Sequence, residues 1–94
     1  MTYRIDARDG GGRVVIEFQG ALDRAALAEI RTRSTTPVLQ GLPVRLVLRL
    51  GTEVEPGCIE ELAGLQGVEL VAEAPYLRRW LEGRRAEHER KGRE

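Results

Sequence analysis

The 94-residue chain contains one cysteine, one histidine, one lysine, no asparagine and only 4% aromatic residues. Cys58 has no second thiol for an intramolecular disulfide, which suits a reducing compartment, and one cysteine with one histidine cannot build a zinc site. No apolar run approaches the roughly 20 residues of a transmembrane helix, and the N-terminus lacks the basic and apolar segments of a signal peptide. We therefore expect a cytoplasmic protein without membrane insertion, metal or cofactor.

The composition fits one small domain with balanced charge. Fifteen basic and fifteen acidic residues give a net charge of zero, which provides no electrostatic drive toward nucleic acid. The apolar fraction of 41% suffices for a single hydrophobic core. We assign residues 1–83 to a folded domain. Residues 84–94, where apolar side chains nearly vanish, form a charged C-terminal extension that is either helical or disordered.

The first third of the chain has the pattern of a β-hairpin. Residues 3–8 alternate in character with period 2, and residues 13–19 are rich in β-branched side chains. Asp9 and the three glycines that follow it provide the positive φ angles that a tight turn needs. We expect Gly20 to end the second strand.

A helix is predicted next. Asp23 is a good N-cap, and residues 24–33 are strong helix formers with apolar side chains on one face. Because the residues before a proline avoid the α region, we expect this helix to end before Pro37. The following loop is predicted to be anchored in the core by Leu39.

The central segment has the pattern of a strand, a loop and a short helix. Residues 44–50 are almost continuously apolar, which predicts a central strand buried on both faces. A turn-rich loop over residues 51–57 follows, and then a short helix over residues 58–65.

The last part of the domain predicts a fourth strand and a third helix. Val68–Ala72 is a short apolar strand after a glycine, and Pro75 fits the first turn of a helix. One stripe of this helix is expected to pack on the sheet. Its members are Tyr76, Leu77, Trp80 and Leu81.

In the order ββαβαβα and in several local sequences, the chain resembles the STAS family, the anti-sigma-factor-antagonist fold, over residues 3–83. The Gly-Ala-Leu-Asp at residues 20–23 is similar to the family's junction between second strand and first helix. Residues 45–50 resemble its central strand, and residues 68–71 and 75–81 resemble its last strand and the following helix. The resemblance implies an α/β fold with a mostly parallel or mixed four-stranded sheet and three helices.

The resemblance also implies a non-enzymatic regulator or adaptor that binds a protein partner. The partners it implies are an anti-sigma or kinase-type regulator, or the ATPase subunit of a transporter. The family's phosphoserine switch aligns with residues 55–59, where neither serine is kept, and Arg49 stands at the usual aspartate. Thr52, the one hydroxyl in the loop, is either a displaced phosphoacceptor or an exposed threonine without a role.

A proline and a glycine in this loop favour one fixed conformation over a conformation that changes on phosphorylation. We therefore predict a permanent docking surface, rimmed by acidic side chains that suit an arginine-rich partner. The predicted partner-binding residues are Thr52, Glu53, Glu55, Pro56, Gly57, Cys58 and Ile59.

Two alternatives stay open. The first is a self-associating or scaffolding subunit, such as a homodimer, that uses the exposed sheet edge at residues 3–8. The second is an enzyme or thiol sensor built on Cys58, because a helix N-terminus favours the thiolate. Catalysis would also need a base, and the only histidine is His88 in the charged extension.

Overall fold

A computed structural model describes the backbone of residues 3–93 and the side chains of residues 3–87. The fold is α/β, with a mixed five-stranded sheet and three α-helices, so the expected count of four strands was one too low. In chain order the elements are β1 (Tyr3–Gly10), β2 (Arg13–Leu22), α1 (Arg24–Leu39), β3 (Val44–Leu48), β4 (Glu53–Val54), a single 3₁₀ turn (Pro56–Cys58), α2 (Ile59–Ala63), β5 (Val68–Ala72) and α3 (Pro75–Arg93).

The main sheet has the order β1-β2-β3-β5, with β1 antiparallel to β2 and the other pairs parallel. The predicted hairpin is confirmed, because Gly11 and Gly12 form a two-residue turn with φ angles of 59° and 78°. Gly20, however, does not end β2. Its φ of 120° lets the strand turn away from β3, so that Ala21 and Leu22 pair with the added strand β4.

The helices pack on one face of the sheet. Alternate residues of β3 are fully buried against them, while the two residues between them are only partly buried. The prediction that this strand is buried on both faces was therefore wrong. The second face, which we call the open face, is covered by no element among residues 3–93, and it includes Val47 in β3. Arginine and glutamate side chains pair across it, for example Arg45 with Glu69 at 2.7 Å.

The start of α1 matches the prediction and its end does not. Asp23 Oδ1 accepts a hydrogen bond from the Ala26 N–H at 2.9 Å, as an N-cap does. The helix continues through Pro37 to Leu39, since a proline in the last turn removes only one backbone hydrogen bond. Gln40 is the C-cap, and Gly41 after it has a φ of 77°, the left-handed conformation common just past the end of a helix. Leu39 is 82% exposed, so it is not a core anchor.

The third helix packs through part of its predicted stripe. Leu77 and Leu81 are buried and Trp80 packs partly against the core, whereas Tyr76 is 61% exposed. The backbone of α3 stays helical through Arg93, which includes most of the charged extension. Within residues 3–93, no helix combines the length and the apolar character that crossing a membrane requires.

Candidate functional site

The loop over residues 51–57, called the docking loop below, is held to β2 by hydrogen bonds. The Thr52 hydroxyl donates to the Phe18 carbonyl oxygen at 3.2 Å, and the Glu55 N–H donates to the Leu22 carbonyl oxygen at 3.0 Å. A third bond, from the Cys58 N–H to the Glu55 carbonyl oxygen at 2.8 Å, closes the turn before α2. The backbone of the loop thus has one well-supported shape.

Ion pairs on the open face support the entry to the docking loop. The Arg49 guanidinium lies 2.9 Å from carboxylate oxygens of both Glu17 and Glu73. Glu73 also accepts the Leu50 N–H at 2.9 Å, and Gln19 donates to the Leu50 carbonyl oxygen at 2.9 Å. The Leu50 N–H and the Arg49 guanidinium hold the pKa of Glu73 below its usual range, and both carboxylates raise the pKa of Arg49.

The structure divides the seven predicted partner-binding residues into two groups. Three are buried, with exposed fractions of 1–3%: Thr52, Cys58 and Ile59. The other four are exposed: Glu53, Glu55, Pro56 and Gly57. The surface that a partner can meet is therefore the acidic half of the docking loop, and the buried residues support it from below.

Thr52 is buried, which bears on both roles considered for it from the sequence, a displaced phosphoacceptor and an exposed threonine without a role. Its hydroxyl is bonded to a core strand, so it is neither an exposed threonine nor an accessible phosphoacceptor in the folded protein. Arg49, just after β3, forms ion pairs with Glu17 and Glu73. Phosphorylation of Thr52 would break the hydrogen bond that joins the docking loop to β2.

Cys58 has the environment of a core residue. Burial, and next the charge of Glu55, raise the pKa of its thiol, and these effects outweigh the favourable charge of Arg24. Helix α2 has only five residues, so its dipole gives the thiolate little help. His88 lies outside the residues whose side chains are described. Among the described side chains, no three metal-ligating groups converge.

A shallow groove of about 300 Å³ runs between the docking loop and the junction of β2 with α1. This volume is at the lower limit for small-molecule sites and suits a protruding side chain. Three carboxylates line it: Asp23, Glu53 and Glu55. Asp23 caps α1, and none of the ion pairs found among the described residues includes Glu53 or Glu55. The groove therefore has uncompensated negative charge.

Two exposed apolar side chains next to the docking loop were missed by the sequence reasoning. The Tyr76 hydroxyl lies 3.4 Å from the Thr52 carbonyl oxygen. Leu50, two residues before Thr52 in the sequence, is 60% exposed. The sequence held a partial signal, since a tyrosine has a polar end that can reach a loop while its ring stays on the surface. Tyr76 and Leu50 add apolar area to the acidic rim.

No family model matches the chain, and no curated protein matches it significantly.

Proposed function

We propose that this chain is a non-enzymatic protein–protein interaction module, a STAS-like regulator or adaptor without a phosphoserine switch. Its docking loop would bind a basic surface of a protein partner. The observation that carries this proposal is that Glu53 and Glu55 stand exposed and outside every ion pair described, on a loop whose backbone is fixed. Among the side chains of residues 3–87, most other exposed carboxylates are paired with basic residues.

The fixed shape of the loop supports a binding role. A surface that is already ordered loses little conformational entropy when a partner docks, so more of the contact energy is available for affinity. The bonds from Thr52 and Glu55 to β2 provide this order without ligand or phosphate.

The chemistry around the loop indicates the kind of partner. The acidic groove matches an arginine or lysine side chain, and opposite charges guide encounter and select against acidic surfaces. Tyr76 and Leu50 add the exposed aromatic and aliphatic area that binding hot spots commonly use. The resemblance to the STAS family suggests an anti-sigma or kinase-type regulator, or a transporter ATPase, as the partner class.

Enzymatic function has less support. The raised pKa of Cys58 keeps the thiol protonated, and the groove beside the docking loop is shallow and open.

The test combines an affinity pull-down from the native cytoplasm with titration of the purified partner. The loop variant is Glu53→Lys with Glu55→Lys. The matched control is Asp9→Lys with Glu82→Lys, which makes the same charge change at two other exposed acids. We expect the loop variant to weaken binding at least tenfold, the control to bind normally, and wild-type affinity to fall with added salt.

A partner that binds the loop variant and the wild type equally would show that the docking loop is not its binding surface. Tyr76→Ala provides an independent check of the apolar part of the surface. Circular dichroism of each variant shows whether the fold is intact.

A further inference from the structure

Strand β1 is one of the two edge strands of the main sheet, and β5 is the other. Strand β1 pairs with β2 on one side, and no element among residues 3–93 pairs with its other side. The pairing pattern shows which backbone groups are free. Gly10 and Arg13 flank a two-residue turn and so exchange hydrogen bonds, and from there every second residue of β1 bonds to β2. The N–H and C=O groups of Tyr3, Ile5 and Ala7 therefore point outward from the sheet.

The side chains of β1 also alternate. Tyr3, Ile5 and Ala7 lie on the helix side of the sheet, where Tyr3 stacks on Phe18 with ring centroids 5.4 Å apart. Tyr3 and Ile5 are only partly buried there, although both pack against the core. The open face of the strand has a self-complementary charge pattern. Its side chains are Arg4, Asp6 and Arg8, and within one chain Arg4 pairs with Asp6 and Arg8 pairs with Glu17.

We propose that two copies of this chain form a dimer in which their β1 strands pair antiparallel around a two-fold axis at Ile5, joining the two sheets. In this register Ile5 lies opposite Ile5 of the second copy, and Tyr3 lies opposite Ala7. Arg4 of each copy then lies opposite Asp6 of the other. The outward N–H and C=O groups pair without any change in the bonds between β1 and β2.

Charge and apolar contacts together select this register. An axis at Asp6 would place the two Asp6 carboxylates opposite each other and Arg4 opposite Arg8, and like charges facing each other are destabilising. An axis at Ala7 would pair Asp6 with Arg8, but it would place Ile5 opposite Asp9. Only the axis at Ile5 pairs opposite charges on one face and apolar residues on the other.

The occupant is a second copy because the edge complements itself in charge and in apolar pattern. The area buried by one strand pair is at the low end for protein interfaces, so we expect a weak dimer. A dissociation constant of about 10 μM to about 1 mM fits such a contact. The inference does not depend on the proposed function, since the docking loop contributes no residue to this edge.

The first test is sedimentation velocity over that concentration range with wild type and Ala7→Pro. Ala7 is exposed and its N–H points outward, so a proline there removes an intermolecular hydrogen bond and keeps the β1–β2 ladder. We expect the dissociation constant to rise at least tenfold. A protein that stays monomeric up to about 1 mM would overturn the proposal.

The second test reverses charges and does not require the proline variant to fold. Arg4→Glu and Asp6→Arg should each weaken the dimer, because each places like charges opposite each other. The double variant Arg4→Glu with Asp6→Arg should restore the wild-type constant, which the Asp6-centred and Ala7-centred registers do not predict. An unchanged dissociation constant in all of these variants would show that the dimer interface does not include β1. Glu53→Lys with Glu55→Lys should leave dimerisation unchanged, which separates this proposal from the proposed function.

Discussion

The hydroxyl of Thr52 donates a hydrogen bond to the Phe18 carbonyl oxygen over 3.2 Å, in the buried space beneath the docking loop. The same carbonyl accepts the Arg49 N–H at 2.8 Å. A side chain that the sequence placed in a surface loop thus helps join that loop to the central sheet. The docking loop is part of the folded core at its base, and only its acidic rim faces solvent.

We therefore expect Thr52→Val to destabilise the protein by about 1 kcal/mol, the net value of one hydrogen bond. Valine keeps the volume, and the Phe18 carbonyl keeps its bond from Arg49, so no buried group is left unpaired. Urea unfolding of wild type and variant measures the difference. Thr52→Ser, which keeps the hydroxyl, is the control for that bond. Equal stability of Thr52→Val and wild type would contradict the structural role.

Gly67 faces Val38 so closely that a Cβ atom at position 67 would lie 2.9 Å from Val38 Cγ1, and its φ is +74°. Gly67→Ala should therefore destabilise by about 2 kcal/mol, from the left-handed backbone and the contact together. The matched control is Gly83→Ala, which meets no atom within 4 Å and lies in α3. It should stabilise by about 0.5–1 kcal/mol, since alanine is the better helix former.

Adding Val38→Ala to Gly67→Ala should recover only part of the loss, because it removes the contact and leaves the positive φ. Thermal unfolding of the single and double variants separates the two contributions. Full recovery would mean that the backbone conformation of Gly67 has no energetic consequence.

Burial raises the pKa of the Cys58 thiol, so stability should depend on alkaline pH. Above the ordinary thiol pKa of about 8.5, the unfolded chain loses its proton while the folded protein keeps it, and the free energy of unfolding falls as pH rises. Denaturant unfolding between about pH 7.5 and 9.5 measures this slope. Cys58→Ala should reduce it. A thiol reagent that modifies native Cys58 faster than the protein unfolds would contradict the buried, protonated thiol.

The lowered pKa of Glu73 predicts a dependence at acidic pH. The stability that this carboxylate adds is fully present above its unfolded pKa, about 4.3, and is lost as pH falls through the lower folded value. Glu73→Gln should therefore lower stability at neutral pH and flatten the acid limb of the stability curve. Glu82→Gln, at an exposed carboxylate in α3, is the control and should change little. If the free energy of unfolding depends on acidic pH equally in wild type and Glu73→Gln, the Glu73 carboxylate does not stabilise the fold as proposed.

Much of the fold could be predicted because the responsible interactions are local. Two consecutive glycines form the turn between β1 and β2, and Asp23 caps α1, each through atoms a few residues apart in sequence. The strand Val68–Ala72 also has the predicted bounds. Prediction was less reliable where two local preferences competed, as at Pro37, which α1 accommodates because its last turn has few bonds to lose.

The sequence by itself determined the α/β class, the hairpin, the capped helix and an acidic loop after β3, because hydrophobic period, turn residues and charge are local properties of the chain. Only the tertiary structure decided which parts of these elements face solvent. Strand β4 exists because the end of β2 supplies a partner, and Thr52 is buried because Phe18 lies beneath it. Tyr76 is exposed because the first turn of α3 lies beside the docking loop. Each of these outcomes depends on contacts between residues more than 20 positions apart, and no pattern within a single segment encodes them.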